Sequence, residues 1–541
     1  MKKIIGLLIT VGSLSWVITM VKSGWLYPFG LGFWGANGHD GIWHIALAKG
    51  LVRGSMENPV FSGEVLKNYH FGFDLFLAAL HKITAIPIEN FYFQVLPPAF
   101  ALLIGLLTYV LVINWTKSKN SALFSVLFVY FGGSAGWLIG RGESTFWAAQ
   151  SISSLINPPF AFSLIFILLG LICLLRNKKI AAIIFFGLLL QLKAYAAVLI
   201  LVGLLVTGIF SFISQKKTDL LKIFLGSLAL NMVLFLLFKS DSLGSIFVWQ
   251  PFWFLETMMG YTDRLGWQRF YSAMTTYKMG NVYLKQILAY NLALAIFVIG
   301  NFWTRLLFLK DLFKKLDNLK ILLLCVIAAG IVIPTFFVQT GTPWNTIQFL
   351  YYSLFFSGIL AGVSLSNFKT SFIKPLTILF ILLTIPTTVI TLKDVYIPGR
   401  PPAKLSIDEN EALEFLSRQP DGVVLTFPFD KNKAKEAENN PPRPLYLYES
   451  TAYVSAFGGK AVFLEDEVNL NIMGYDYLQR RNDIETWYKE SDPDKAKDFL
   501  TKNKISYVYW VKPQRGNLSE DELGLNKIFE NKEAVIYKVV K

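Results

Sequence analysis

From Ile4 to about residue 392 the chain alternates long apolar stretches with short polar ones. Stretches of about 18 or more apolar residues are read as membrane-spanning helices. They fall at 4–22, 91–113, 121–140, 159–175, 180–192, 195–214, 220–238, 283–304, 320–338, 346–366 and 371–392. The fifth is short and runs close to the sixth. The first follows Met1-Lys2-Lys3, and no small-residue cleavage site comes after it, so it is read as an uncleaved anchor.

The polar interruptions differ in kind. Residues 23–90 form a long first loop with helical spacing of apolar residues in two places. One is His39 to Gly54, through Ile42, Ile45, Ala46, Leu47 and Leu51. The other is Phe71 to Ile83, through Leu75, Leu77, Ala78 and Leu80. Both are too short and too charged to span, so both are expected to lie along the membrane surface, joined by a turn-rich crossing at Glu57 to Gly63. Shorter polar segments run from Arg141 to Pro159 and from Gln339 to Thr346. The loop 239–282 is rich in aromatics, among them Trp249, Trp253, Tyr261 and Trp267, as expected at a membrane interface.

After Ile397-Pro398-Gly399-Arg400-Pro401-Pro402 the pattern shortens to that of a water-exposed domain. A helix is expected over 408–418. Strands are expected at 422–427, 461–464, 505–511 and 533–540. A further helix begins at Asp492-Pro493-Asp494 and runs through Leu500, with proline in its first turn. The fold class is therefore a multi-span α-helical membrane domain, residues 1–399, followed by an α/β domain of about 140 residues, 400–541, within the usual domain range.

Charge orients this arrangement. Lys2 and Lys3, Lys117 and Lys119, Arg176, Lys178 and Lys179, Lys216 and Lys217, Arg305, Lys310, Lys314, Lys315 and Lys320, and Lys369 and Lys374 occupy alternate connections. With eleven spans these connections lie inside, so the loops 23–90 and 239–282 and the tail lie outside. The net charge of +14 is unevenly shared: residues 1–399 hold 30 basic and 13 acidic side chains, residues 400–541 hold 21 and 24. The excess belongs to topology and to contacts with anionic lipid. Nucleic acid is not an expected partner, because the tail is mildly acidic. The two cysteines, Cys173 and Cys325, lie within spans and give no metal-binding spacing.

All four histidines fall between residues 39 and 81, within the first loop. Asp40 and His44 are four apart and share a helical face, whereas His39 and His44 diverge by about 140°. A carboxylate beside an imidazole suits proton abstraction, or one carboxylate and one imidazole on a metal. The competing reading makes Asp40 a helix cap. His70 and Asp74 repeat the spacing on the second helix, and Tyr69 adds a hydroxyl. Were the two helices to pack together, Asp40, His44, His70 and Asp74 could converge. His81 is read as a surface residue. Lys193, beside Tyr195, lies near the outer end of the fifth span, where it either binds an anionic phosphate or snorkels to water. Arg141, Glu143, Asn157, Asn345 and Gln348 lie at the outer mouth, and Arg264 and Arg269 in the aromatic loop; loop capping and interface anchoring are the default for these. Arg480 and Arg481 are expected to form salt bridges within the tail. The chain shows no Gly-rich phosphate loop and no Ser/His/Asp nucleophile motif.

With His39-Asp40-Gly41-Ile42-Trp43-His44, Asn68-Tyr69-His70-Phe71-Gly72, the early loop aspartate and the outer α/β tail, the chain resembles the GT-C glycosyltransferases. These include oligosaccharyltransferases, protein O-mannosyltransferases and lipid A aminoarabinose transferases. It looks most similar to uncharacterised bacterial GT-C-like membrane proteins. The resemblance implies a polyprenyl-phosphate-linked sugar as donor, an acceptor in the cell envelope, and inversion at the transferred sugar. It casts Asp40, assisted by His44, as general base or metal-associated carboxylate. Lys193 would contact phosphate, and Tyr69, His70, Asp74, Tyr195, Arg141 and Gln348 would line the substrate site. A divalent cation, Mg²⁺ or Mn²⁺, on Asp40, His44 and His70 is compatible with it. The tail lacks a Trp-Trp-Asp signature, which argues against an asparagine acceptor. The alternative is a non-enzymatic transporter or flippase of lipid-linked saccharides. It would explain Lys193, but transporters usually gather binding groups at the membrane midplane.

Overall fold

The computed structural model describes residues 2–237, 247–312, 316–340, 342–368 and 370–540. The expectations placed on Lys314, Lys315, Lys369, residues 239–246, Gly341 and the side chain of Lys374 lie outside the described residues. Contacts divide the chain into two compact units. One holds Met1–Thr19, Pro97–Leu237 and Ile246–Ile397; the other holds Met20–Leu96 and Pro398–Lys541.

The first unit is helical. Among the described residues nine helices are long and apolar enough to cross a membrane, from Lys2–Val21 to Pro375–Tyr396. Two shorter apolar helices, Lys119–Phe131 and Lys179–Leu192, occupy the third and fifth expected positions. The third ends early because Gly132 and Gly133 follow Phe131 and the chain turns into irregular backbone. Packing is close where side chains are small. A Cβ on Gly362 would meet the backbone of Ser125 at 2.2 Å, and one on Gly105 would meet the Tyr130 hydroxyl at 2.1 Å. That hydroxyl donates to Ala101 O at 2.7 Å and lies 3.0 Å from Ser13 Oγ, so one tyrosine ties three helices.

One charge departs from expectation. Arg305 does not sit in a basic loop. The Tyr283–Phe302 helix breaks at Trp303, whose φ is +43°, and continues as a tighter turn, Trp303–Asp311, so the span reaches Lys310. Arg305 is therefore enclosed, donating to Asn301 O at 2.7 Å, to Gly133 O at 3.3 Å and to Gln150 Oε1.

The second unit joins the first loop to the tail. Gly30–Phe33 pairs antiparallel with Ala403–Leu405, Leu31 opposite Leu405. A five-stranded sheet has the order Leu525–Glu530, Ala534–Val539, Ile505–Val511, Val423–Thr426, Ala461–Val462. The first three strands run antiparallel and the last two pairings are parallel. The Glu57 to Gly63 crossing is bound to this sheet's edge: Val462 N donates to Pro59 O at 2.8 Å, and Ser62 N to Val462 O at 3.0 Å. The helices Ile407–Ser417 and Pro493–Lys502 match the expected ones; Glu467–Met473 and Tyr477–Lys489 are additional.

The two first-loop helices, Asp40–Val52 and Gly72–Thr84, pack on each other. The Asp40–Val52 helix was expected to lie along a surface, but ten of its thirteen residues are buried. It is enclosed by the Gly72–Thr84 helix and by the Tyr453–Gly458 helix of the tail. An apolar stripe read as a membrane-facing side is thus covered by protein.

Candidate functional site

The site begins with a helix start. Asn37, fully buried, donates to Ser23 Oγ at 2.9 Å, and Trp34 N donates to the same oxygen at 3.0 Å. This fixes the turn that leads into the helix. His39 occupies the capping position without a side-chain capping bond, and Asp40 is the first helical residue. Asp40 is therefore not the cap. It remains exposed on a helix that is otherwise enclosed, where the helix dipole favours its negative charge. Gly41 allows this helix to approach the aromatic wall: a Cβ there would lie 3.0 Å from Phe93 Cζ and 3.1 Å from Tyr92.

One turn on, His44 is 3 % exposed and Asp74 fully buried, with His44 Nδ1 and Asp74 Oδ1 2.7 Å apart. Tyr92 stacks against the imidazole at 5.8 Å between ring centres, and Phe73 meets it edge-on at 5.7 Å. A carboxylate on Nδ1–H fixes the ring's tautomer and leaves Nε2 as the basic nitrogen. Tyr69 stands edge-on to Trp43 and stacks on His70 at 4.8 Å. Burial, reinforced by the nearby Asp74 carboxylate, holds the Tyr69 hydroxyl well above its ordinary pKa, so it is a neutral donor.

The four-residue spacing of His70 and Asp74 does not produce a shared helical face. The second helix begins at Gly72, and His70 lies in the coil before it. The reason is local: Asn68 takes φ +54° and its amide donates to Met473 O at 2.9 Å, holding the chain off the helix until Phe71. Asp74 pairs across to His44 instead. His39 bonds Ser450 Oγ through Nδ1 at 2.6 Å and meets Tyr448 edge-on at 4.5 Å. Burial pushes its pKa down, against the opposing pull of Asp40. His81 bonds Ile86 O.

Sequence reasoning passed over the tail's share. Asp466, at φ +50°, caps the Glu467–Met473 helix through Asn469 N at 3.1 Å. Burial pushes its carboxyl up to about 7, with Asp40 and Glu449 adding to the effect. The signal was present as three consecutive acids, Glu465-Asp466-Glu467, directly after a strand. Arg481 bridges Glu467 and Glu485, the salt bridging expected within the tail, whereas Arg480 donates to Phe463 O at 2.8 Å and lies over the ring of Phe61 in the first loop. Among the described residues no three of His, Cys, Asp and Glu gather as a metal ligand set. Asp40, His44 and His70 are not among any such set.

The helical unit holds a separate polar group. Lys193 has extended backbone between Leu189–Leu192 and Ala194–Gln215. It is 5 % exposed, so it does not snorkel. Its Nζ donates to Asn157 Oδ1 at 3.2 Å and lies 5.6 Å from the Tyr195 ring centre. The Tyr195 hydroxyl donates to Gln339 Oε1 at 2.8 Å. Gln348 is not part of this group; it donates to Asn345 Oδ1. Arg141 lies beside Gly266. Arg264 covers the Trp147 ring, which stacks on Trp344 at 4.3 Å. Glu143 accepts from Gln150 N at 2.6 Å and from Ser153, and burial pushes it up to about 7; it ties its loop together.

No family model and no curated protein sequence matches the chain. Solved structures do. The archaeal oligosaccharyltransferase AglB from Archaeoglobus fulgidus, in complex with an inhibitory peptide and a dolichol-phosphate, matches with a TM-score of 0.51 at 12% identity, over 93% of this chain and 69% of that one. The apo form of the Archaeoglobus fulgidus oligosaccharyltransferase matches with a TM-score of 0.50 at 11% identity, over the same shares. The chain carries the fold of these enzymes, a multi-span helical membrane protein with a C-terminal α/β domain, which is the GT-C fold expected from its sequence.

Proposed function

We propose that this protein is a membrane glycosyltransferase of the GT-C type, moving a sugar from a polyprenyl-phosphate-linked donor to an acceptor in the cell envelope. The observation that carries the reading is Asp40: an exposed carboxylate at the head of a helix whose body is buried. A group so held is positioned yet open to a substrate. The fold's likeness to an enzyme solved with dolichol-phosphate supports a lipid-linked donor.

In the proposed step the acceptor hydroxyl attacks the anomeric carbon of the donor sugar. Asp40 takes the hydroxyl proton, the bond from carbon to phosphate oxygen breaks, and the polyprenyl phosphate leaves with the electron pair, inverting that carbon. The phosphate needs little acid assistance, so one base suffices. His44, fixed by Asp74, stiffens the helix that carries Asp40, and Tyr69 and His70 wall it. Lys193, with Tyr195, is assigned to the donor phosphate on the helical side. Arg141 and Gln348 are assigned to more distal parts of the substrates.

The same reading places the protein in the cytoplasmic membrane, with residues 400–541 outside. In a cysteine-free background, a cysteine at position 519 (Ser519→Cys) is expected to react with a membrane-impermeant thiol reagent in intact cells, and one at position 118 (Ser118→Cys) is not. Labelling of position 118 alone reverses the orientation.

The transport alternative draws on Arg305, an enclosed charge within a span. Its bonds to Gly133, Gln150 and Asn301 spend that charge on holding the fold. Transfer assays with a panel of polyprenyl-phosphate sugars, comparing the wild type with Asp40→Asn, test the enzymatic reading. Sugar translocation without transfer, unaffected by Asp40→Asn, would favour transport.

A further inference from the structure

Two arginines of the helical unit each lie against the other's loop. Arg264 Nη1 donates to Ser144 O at 3.2 Å. The Arg141 guanidinium lies beside Gly266, where a Cβ would stand 3.3 Å from Nη2 and 3.6 Å from Nη1. Gly266 takes φ +67°, so glycine both permits the turn and leaves the guanidinium its room. Arg264 covers Trp147, its Cζ 5.1 Å from the ring centre, and Trp147 stacks on Trp344 at 4.3 Å. Trp147 is a bulky residue held at φ +72°, a strained backbone of the kind that clusters at ligand sites.

The hydrogen bonds of this group do not close. Arg141 Nη1, Arg264 Nε and Trp147 Nε1 are buried atoms with no hydrogen-bond partner among the described residues, and Trp147 is only 6 % exposed. Buried donors are usually satisfied, and a guanidinium nitrogen left without an acceptor is costly. All three atoms are donors, so the missing partner supplies oxygens. The nearby carboxylates do not fill that role. Asp263 Oδ2 stands 3.6 Å from Arg264 Nε, beyond hydrogen-bond distance, on a side chain that is 65 % exposed. Glu143 is spent on Gln150 N and Ser153. Two guanidinium groups suit an oxyanion that presents two oxygens. Trp344 and Tyr261, both in ring contact with Trp147, are 47 % and 50 % exposed. Flat aromatic surfaces beside a few polar groups are what ligand sites are made of, and the C–H face of a sugar ring suits them.

We propose that Arg141 and Arg264 bind a sugar acid, its carboxylate on the two guanidinium groups and its ring against Trp344 and Tyr261. That this acid belongs to a distal part of the glycan being moved or extended rests on the transferase reading; that the arginines bind it does not. A lipid phosphate offers similar oxygens but no ring face, and measurement separates the two.

The test uses the full chain in detergent at low ionic strength, titrated by calorimetry with trigalacturonic acid, its methyl ester and short-chain phosphatidylglycerol. The acid is expected to bind at least about tenfold more tightly than the ester, which keeps the rings and loses the charge. Arg141→Gln is expected to weaken it by about tenfold, and Trp344→Ala by about fivefold. Arg141→Lys keeps the charge without the planar fork and is expected to lose about threefold, so charge and geometry are read apart. Arg141→Gln removes an unpaired buried nitrogen, so its thermal midpoint is expected to hold or rise. Equal affinity for acid and ester, no binding of the acid, binding of phosphatidylglycerol alone, or indifference to Arg141→Gln would each overturn the proposal. No donor is present in the titration, so the two readings fail separately: acid binding without any transfer activity strikes the transferase reading, and transfer without acid binding strikes this site.

Discussion

Asp40 and Lys193, the two charged residues assigned to the proposed transfer, are held in opposite ways. Asp40 begins a helix whose body is enclosed, so the backbone is fixed while the carboxylate stays exposed. Lys193 sits at a break between two helices, so its backbone is extended while its ammonium is enclosed against Asn157 and Tyr195. A base that must meet a changing acceptor gains from presentation. A cation that neutralises a phosphate gains from enclosure, where each charge interaction is less screened. In the proposed mechanism the contrast separates a reacting group from an electrostatic one, and substitution can test it from both sides.

The largest effect is expected from Asp40→Asn. It removes basicity while keeping size, and general base catalysis is worth about 10²–10⁴-fold, so turnover is expected to fall by that order. Asp40 makes no capping bond, and the dipole loss is about 0.3–1 kcal/mol, so the thermal midpoint should barely move. Near wild-type transfer by this variant would remove Asp40 from the mechanism. Asp74→Ala attacks the scaffold instead. Breaking a buried pair costs about 3–5 kcal/mol, so a lower melting temperature and poorer accumulation are expected, along with lost activity. An unchanged melting temperature would show that His44 does not depend on Asp74.

Lys193→Met is expected to raise the donor KM by about tenfold, about 1.4 kcal/mol, while kcat changes less. A fall in kcat at constant KM would erase the distinction between presented and enclosed charge. The smallest effect concerns pH. Burial pushes Glu409 and Glu465 up to about 8 and Asp466 to about 7, from ordinary values near 4.5 and 3.8. The folded state then binds more protons than the unfolded one, so stability is fully present below about 4 and is lost as pH rises through 7 to 8. His39, with a lowered pKa, works in the other direction below its ordinary 6.5. The slope is therefore read between about 6.5 and 8.5, by tryptophan fluorescence melting of the full chain. Glu409→Gln is expected to flatten it, and an unchanged slope would remove Glu409 as a contributor.

The sequence made the spans legible because burial in lipid imposes a long uniform apolar run that local reading detects. The tail's central strands were legible for a similar reason: Ile505–Val511 is β-branched and aromatic throughout. Asp40 stood out because all four histidines gather with it in the first loop. Other features depend on partners distant in the chain. Nothing near Gly30–Phe33 announces that it will pair with Ala403–Leu405. The spacing of His70 and Asp74 looked helical until Asn68, bonded to Met473, delayed the helix. Arg305 looked like a topology charge because its partners at Gly133 and Gln150 lie more than 150 residues earlier.

The pairing of Leu31 with Leu405 also sets a timetable. Hundreds of residues separate the two strands, and at about 5–20 residues per second the ribosome needs on the order of tens of seconds to pass from one to the other. Throughout that interval the segment bearing Asp40 lacks the strand that completes its sheet and the tail helix that covers its apolar face. The setting of Asp40 is thus completed only once the chain has been made past Gly458, and a nascent product shorter than that carries the aspartate without its cover.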